Sequence, residues 1–174
     1  MIEVNAQCQY SPSVNPNYRA SACGPTAIEA ILRFYTNKTL DINELYTQLH
    51  TRPYGLSARK IVKQLPKILG DAWHVEKVSL REALCSIERG EPIAMKFDRY
   101  FTPYFYKKAQ YHFHWTVLVH YSIEENRLKL FVEDLGTPKR GSRIQKIDYS
   151  RNRHALTFIQ IRPINGKSFA HDSQ

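Results

Sequence analysis

The sequence predicts one α+β domain, in which a helical N-terminal part packs on a C-terminal antiparallel β-sheet. In the first half, apolar residues recur at three- and four-residue spacing, which is typical of buried helix faces. From Pro92 onward, short apolar runs of β-type residues replace that spacing. A length of 174 residues with 43% hydrophobic residues suits a single core. We therefore expect one domain over residues 1–174, with an extended arm at 1–22 and a loose tail at 168–174.

Start signals predict four helices in the first half. Pro25 is suited to the first helical position, and the apolar spacing after it predicts a helix over about residues 26–35. Three further starts carry a side chain that can accept a hydrogen bond from a free backbone N–H. They are Asp41 with Glu44, Ser57, and Ser79 with Glu82. Pro66 is expected to end or kink the third helix. This half is therefore expected to be mostly helical.

Five β-type runs follow Pro92. They are residues 93–97, 115–121, 128–132, 144–147 and 155–161. The second and third flank residues 122–126 and are expected to form a hairpin with a loop of about five residues. Between the first two runs lies a segment rich in aromatic residues, namely Tyr100, Phe101, Tyr104, Phe105, Tyr106 and Tyr111. Such a segment either shapes a substrate groove or folds into the core, and its composition favours neither.

The net charge of +9 is unevenly distributed. Between Arg127 and Lys167 there are ten lysines and arginines against three acidic residues. A basic face attracts nucleic acid, an anionic surface or an acidic substrate. Lysines and arginines scattered through strands more often form the solvated side of a sheet, so nucleic acid is not the expected partner.

The chain shows no sign of export. No apolar run is long enough to cross a membrane, and residues 1–5 lack the basic start and apolar middle of a signal peptide. Three cysteines, an odd number without a short repeated spacing, argue against a disulfide framework. Free thiols suit a reducing compartment, so a cytoplasmic location is expected. Export by a route that needs no signal peptide stays an alternative.

Cys23 is the strongest candidate for chemistry. It lies at the predicted start of the first helix, where free backbone N–H groups and the helix dipole favour a thiolate over a thiol. The thiolate is the attacking species in cysteine chemistry. The alternative is a small buried residue in a helix cap. Cys8 and Cys85 have no such helix start and are expected to be structural or incidental.

A reactive cysteine needs a base and a group that orients the base. Alternation along residues 114–121 places His114 and His120 on one face, with Tyr121 on the other. If Tyr121 lies opposite Arg127, antiparallel pairing places His114 opposite Asp134, with Cβ atoms about 5 Å apart. A slip of one residue would put the two on opposite faces. His120 lies about 20 Å from His114 along the strand, so both cannot serve one nucleophile.

A metal site is the alternative use of these residues. His112 shares a face with His114 if the strand begins that early, and the two could bind a metal together with Asp134. Histidine pairs with this spacing are common in strands without a metal, so we predict no metal and no cofactor. The remaining histidines, which have no evident partner, are His50, His74, His154 and His171.

Five segments, taken in order, point to a known family. They are Gln9, Cys23-Gly24-Pro25-Thr26-Ala27, Gly55-Leu56-Ser57, His114-Trp115-Thr116-Val117-Leu118-Val119 and Val132-Glu133-Asp134. Together they resemble the papain-like cysteine peptidases of the double-glycine-leader type. That family includes the bacteriocin-processing peptidase domains and their stand-alone relatives, and the resemblance spans nearly the whole chain.

By this resemblance the fold is papain-like, Cys23 is the nucleophile, His114 is the base and Asp134 orients the base. Gln9 would join the backbone N–H of Cys23 in an oxyanion hole, where one donor contributes ~3 kcal/mol to transition-state stabilisation. The residues alone do not distinguish Gln9 from Gln7. The implied activity is hydrolysis of a peptide or amide bond through a thioester, with a peptide or protein as substrate. The alternatives are an amidase or acyltransferase with the same groups, and a catalytically silent domain that binds a peptide or partner protein.

The chain departs from the family pattern in three places. Leu135-Gly136 follows Asp134 where the family often has proline, and His120-Tyr121 stands where glycine-tyrosine usually ends the histidine strand. The aromatic segment before His114 is also longer than expected. The transporter-linked members of the family also carry membrane and ATPase domains, which this sequence does not predict. Leader processing during export is therefore not expected for this chain.

Overall fold

The computed structural model of the protein describes residues 1–98, 111 and 113–165. The helices are α1 (Cys23–Thr36), α2 (Ile42–Gln48), α3 (Ala58–Leu69), α4 (Leu80–Glu88) and α5 (Tyr149–Asn152). The strands are β1 (Trp73–Val78), β2 (Ile93–Asp98), β3 (Phe113–Glu124), β4 (Arg127–Asp134), β5 (Arg143–Asp148) and β6 (Leu156–Pro163). Short 3₁₀ turns occupy Arg19–Ser21 and Arg153–Ala155.

The six strands form one antiparallel sheet in the order β1-β6-β2-β3-β4-β5. Helices α1 and α3 pack on one face of the sheet, and α4 packs on the other. The core on the first face includes Ile28, Ile31, Ile61, Leu65, Trp115, Val117 and Ile159. The core on the second face includes Ala83, Ile87, Met95, Phe97, Leu118, Val132 and Phe158. The predicted α+β class is confirmed, although α4 lies across the sheet from the other long helices.

Strand β1 was not expected in the N-terminal half. It pairs with β6 at the edge of the sheet. Its apolar residues alternate, so that Trp73 and Val75 pack on the α1 side while Val78 packs on the α4 side. The alternation covers only six residues and includes exposed Glu76 and Lys77, which is too short a pattern to stand out between two helices.

The predicted capping residues bind the helix ends as expected. The carboxylate of Asp41 accepts a hydrogen bond from the Asn43 N–H at 2.8 Å, and Ser57 caps α3. Ser79 and Glu82 form the complete capping box of α4. These bonds satisfy backbone donors that the first helical turn leaves free. Local capping chemistry therefore decides where three of the helices begin.

The predicted start of α1 is wrong, and Pro66 does not end α3. Helix α1 begins at Cys23, three residues earlier than expected, so Pro25 is its third residue. A proline is tolerated there because the N–H groups of the whole first turn lack a partner within the helix. Helix α3 continues through Pro66 to Leu69, because the burial of Ile61 and Leu65 holds the helix against the sheet.

The β3–β4 hairpin is tighter than expected. Its loop is the pair Glu125-Asn126, whose φ angles of 50° and 59° are the positive values that two-residue hairpin turns require. Glu124 therefore pairs directly with Arg127, and Tyr121 pairs with Leu130. The predicted five-residue loop and the pairing of Tyr121 with Arg127 are wrong.

A β-bulge at Val119 resets the register of this hairpin. His120 pairs with Phe131, but Leu118 pairs with Val132, so Val119 is left out of the ladder. Without the bulge, the pairing that begins at the turn would place Asp134 opposite Val117. Asp134 would then lie on the face of the sheet opposite to that of His114. With the bulge, Asp134 pairs with Thr116 and shares the face of His114. The two predicted partners are diagonal neighbours rather than directly opposed.

The N-terminal arm is attached to this hairpin. The Ile2 N–H donates to the carbonyl of Val119 at 3.0 Å, and the Gln9 N–H donates to the carbonyl of Leu135 at 3.0 Å. Between Cys8 and the start of α1, the arm folds into consecutive turns rather than staying extended. The arm is thus bonded to β3 at the bulge and to the residue that follows β4 before the chain reaches α1.

Gly24 lies where the first turn of α1 meets Leu56 and Trp115. A Cβ atom at this position would lie 2.8 Å from the Leu56 Cβ and 3.2 Å from the Trp115 Cδ1. The indole N–H of Trp115 also donates to the Leu56 carbonyl at 2.8 Å, so neither neighbour moves freely. We expect Gly24→Ala to lower the free energy of unfolding by about 1–3 kcal/mol in urea denaturation. Gly141→Ala, with no atom near its Cβ position, is the control; equal stability of the two variants would contradict this packing.

The segment 99–110, residue 112 and residues 166–174 lie outside the described residues. The expected loose tail at 168–174 therefore stays a prediction, as does the role of the aromatic segment apart from Tyr111. Within the described ranges, no helix combines the length and the apolar character that a membrane crossing needs.

Candidate active site

The four predicted site residues line one cleft of about 580 Å³. Cys23 enters it from the N-terminus of α1, His114 from the start of β3 and Asp134 from the end of β4. Gln9 reaches it from the N-terminal arm. Three elements distant in sequence therefore meet at one end of the sheet, and residue Cys23 is only 4% exposed.

His114 is held between the cysteine and the carboxylate. Its Nε2 lies 3.0 Å from Asp134 Oδ1, and its ring packs against the ring of Tyr111 with 4.7 Å between centroids. The same imidazole interacts with the Cys23 side chain. Because Nε2 is engaged by Asp134, Nδ1 is the nitrogen left to exchange a proton with the thiol.

The surroundings of His114 favour its charged form. Burial by itself lowers the pKa of the imidazole, because it disfavours the charged ring. The hydrogen bond to Asp134 and the interaction with Cys23 outweigh burial and raise the pKa of His114 to about 9. At neutral pH the imidazolium is therefore the stable form of this side chain when it is paired with its two neighbours.

Asp134 accepts more hydrogen bonds than the sequence indicated. Its Oδ2 accepts from the Arg140 guanidinium at 2.7 Å, from the Tyr111 hydroxyl at 3.2 Å and from the Gln145 amide. Burial alone would raise the pKa of this carboxyl group, which is 2% exposed. The hydrogen bonds from His114 and Arg140 prevail and hold the pKa well below its usual range. Asp134 is thus a fixed anion with one oxygen reserved for His114.

Arg140, Gln145 and Tyr111 were missed by sequence reasoning. Gln145 pairs with Val132 in the adjacent strand β5, which places it diagonally across from Asp134. Arg140 lies in the loop that leads to β5, where its backbone closes a turn with Thr137. The contact of Gln145 with Asp134 could have been predicted only from the pairing register of β4 and β5. The loop between these strands is too long to fix that register from the sequence.

Gln9 lies in the cleft, whereas Gln7 is not among the residues that line it. The Gln9 amide nitrogen donates to the Arg19 carbonyl at 2.9 Å, which uses one of its two hydrogens. Its Oε1 is buried and has no hydrogen-bond partner among the described residues. The Gln9 side chain also hydrogen-bonds the Tyr10 phenol. The N–H of Cys23 belongs to the first helical turn, whose donors lack helical acceptors, so it is a donor available near the thiol.

Tyr10 is a further polar residue beside the cysteine that sequence reasoning missed. Its phenol group lines the cleft next to Gln9. Burial raises the pKa of Tyr10, and negative charge on Cys23 and on Cys8 raises it further. The phenol therefore keeps its proton and serves as a neutral hydrogen-bonding group. Its position next to Gln9 in the sequence was the only available signal.

The other histidines that the structure describes do not line the cleft. The bulge turns His120 to the α1 side of the sheet, where its ring packs on Phe131 with 5.3 Å between centroids. Its predicted placement on the His114 face is therefore wrong. On the edge strand, Nε2 of His74 lies 2.8 Å from Oε1 of Glu76. No cluster of three or more metal-binding side chains occurs among the described residues, and His112 and His171 are not among them.

The two other cysteines differ from Cys23 in their contacts. The Cys8 thiol contacts the carbonyl oxygens of Thr137 and Arg140 at 4.0 and 3.8 Å. It thereby connects the N-terminal arm to the loop after Asp134. Cys85 is exposed on α4, on the opposite side of the sheet. Neither thiol lines the cleft that contains His114.

Comparison with known proteins adds one finding about the whole chain. A family model described as the Peptidase C39-like family matches residues 1–163, which cover every helix and strand of the fold. No curated protein matches the chain.

Proposed function

Because the chain belongs to the Peptidase C39-like family, which has a papain-like cysteine peptidase fold, we propose that it hydrolyses a peptide or amide bond of a peptide or protein substrate. The observation that carries the proposal is the placement of His114 between Cys23 and a fixed carboxylate, Asp134. This is the order of nucleophile, base and orienting group that acyl transfer by a thiol requires.

In the proposed resting state, the proton of the Cys23 thiol already lies on Nδ1 of His114, and in the first step the thiolate sulfur attacks the substrate carbonyl carbon. Asp134 holds the imidazole through Nε2 and stabilises the imidazolium that forms. The raised pKa of His114 keeps the proton on the ring until a leaving group accepts it. The carbon–sulfur bond forms as the carbonyl double bond opens to an oxyanion.

The oxyanion would accept hydrogen bonds from the Cys23 backbone N–H and the Gln9 amide, each contributing about 3 kcal/mol to transition-state stabilisation. The imidazolium of His114 then protonates the leaving amine, the carbon–nitrogen bond breaks, and a thioester remains on Cys23. Water attacks the thioester while His114 accepts its proton, which releases the carboxylic acid and restores the thiol.

Labelling with a mechanism-based electrophile tests the proposal. A peptidyl epoxide should modify Cys23 rapidly and leave Cys8 and Cys85 unmodified, because only Cys23 has an adjacent base. Intact mass followed by peptide mapping locates the adduct. Iodoacetamide on the urea-unfolded protein is the control, since all three thiols then react alike. Absence of a Cys23 adduct on the folded protein would support a silent, peptide-binding domain instead.

A further inference from the structure

A second pocket of about 410 Å³ lies beside the catalytic cleft, between the sheet and the start of α3. It shares Tyr54, Gly55 and Phe113 with the cleft, so one boundary separates the two cavities. Tyr54 on this boundary is 75% exposed. An exposed aromatic ring between two cavities is a typical anchor for a bound peptide. None of the four predicted catalytic residues lines the second pocket.

The pocket has a polar floor built by neighbouring strands. Lys96 and Asp98 are two residues apart on β2 and share a face of the sheet. Lys96 pairs with Thr157 of β6, and Asp98 pairs with Phe113 of β3; all four residues line the pocket. The floor therefore lies on three adjacent strands, a rigid part of the fold.

Lys96 and Asp98 form a buried ion pair in this floor. The ammonium donates to Asp98 Oδ2, and the two side chains are only 5% and 14% exposed. The ammonium also lies 4.4 Å from the centroid of the Phe113 ring. A buried ion pair seldom stabilises a fold more than apolar residues of the same size would. Its presence in a pocket wall is therefore better explained by recognition than by packing.

Two polar atoms of the pocket residues have no hydrogen-bond partner among the described residues. They are Asp98 Oδ1 and His154 Nε2, and both are shielded from solvent. A buried polar atom without a partner is rare in folded proteins and marks a place where a ligand group can supply the missing bond. Asp98 and His154, which carry these two atoms, both line the pocket, together with Lys96 and the exposed Lys77.

We propose that this pocket is a side-chain subsite of the peptide-binding cleft and takes the carboxamide of a glutamine or asparagine; the inference rests on the proposed function. A carboxamide N–H suits the free oxygen of Asp98, and its carbonyl suits the ammonium of Lys96. A carboxylate would face Asp98, and an ammonium would face Lys96. An uncharged side chain with both a donor and an acceptor avoids both repulsions.

Peptide binding to the Cys23→Ala protein tests the subsite without turnover. Fluorescein-labelled hexapeptide amides carry glutamine, leucine, lysine or glutamate at one position at a time, and fluorescence anisotropy measures each affinity. At one position we expect glutamine to bind at least about tenfold more tightly than the other three. No peptide binding, or binding without a glutamine preference, would overturn the subsite.

A double variant separates recognition from packing. Lys96→Met with Asp98→Leu keeps the volume of the ion pair but removes its polar atoms, so the glutamine preference should be lost and leucine should bind best. The matched control is Lys129→Met with Asp148→Asn, which alters another Lys–Asp pair, of 2.8 Å, on β4 and β5. Retention of the glutamine preference in the first variant would overturn the inference.

Cleavage assays on the wild-type protein, which retains the Cys23 thiol, separate the two proposals. A glutamine preference in binding without any cleavage refutes only the peptidase. Cleavage without a glutamine preference refutes only the subsite.

Discussion

Replacement of Cys23 by alanine is expected to abolish peptide hydrolysis, with kcat reduced by about 10⁴- to 10⁶-fold. Among the described residues that line the cleft, Cys23 carries the only thiol, which supplies the atom that the mechanism joins to the substrate carbon. No neighbouring group can take its place, because Cys8 and Cys85 do not line the cleft. The measurement is the initial rate on a fluorogenic peptide library, followed by a quenched peptide identified from it.

Two controls separate lost chemistry from lost folding. Cys85→Ala removes an exposed thiol on α4 and should retain full activity. Cys23→Ala removes a single buried sulfur at a helix terminus, so the free energy of unfolding should change by less than about 1 kcal/mol. Hydrolysis at the wild-type rate by a folded Cys23→Ala protein would refute the peptidase mechanism.

His114→Ala is expected to reduce kcat/KM by a similar factor, about 10⁴- to 10⁶-fold, because the same proton passes through this ring in both halves of the reaction. The remaining Asp134 carboxylate would still bind Arg140 and Gln145, so the site should not collapse. The matched control is His120→Ala on the same strand. Its ring packs on Phe131 and not on the cleft, so activity should be retained.

The pH profile of the wild-type protein provides a second measure of His114. Since the pKa of the imidazole is raised to about 9, the ring stays protonated at neutral pH and loses its proton as pH rises through that value. The leaving amine needs that proton, so kcat/KM should fall on the basic side near pH 9 rather than near the ordinary imidazole value of about 6.5. A basic limb near 6.5 would show that Asp134 does not hold the charged ring.

Local signals predicted the helices and the reactive part of the site. The capping residues Ser57 and Ser79 mark helix starts because their bonds reach only a few residues along the chain. The contact between His114 and Asp134 was also predicted, from alternation in the two strands. The real hairpin has a shorter loop than predicted and a bulge at Val119, and the effects of these two differences on the shared face cancel.

Features that depend on distant pairing could not be read from the sequence. Strand β1 takes its place at the edge only through pairing with β6, at the far end of the chain. Arg140 and Gln145 reach Asp134 because β5 lies next to β4 in a particular register. Gln9 was assigned by family resemblance alone, because the sequence around Gln7 and Gln9 does not show which side chain faces the cleft. In the structure Gln9 lines the cleft and Gln7 does not.

The attachment of the N-terminal arm has a consequence for the time at which the protein becomes reactive during synthesis. Gln9 is fixed by the carbonyl of Leu135, and more than a hundred residues separate the two. A ribosome delivers the arm and the thiol first, and His114, Asp134 and the partners of Asp134 much later. Closing such long loops is also the slow part of folding. Under the proposed mechanism, the nascent chain would carry its nucleophile without a base until the last strands emerge, so its reactivity would begin only when the fold is complete.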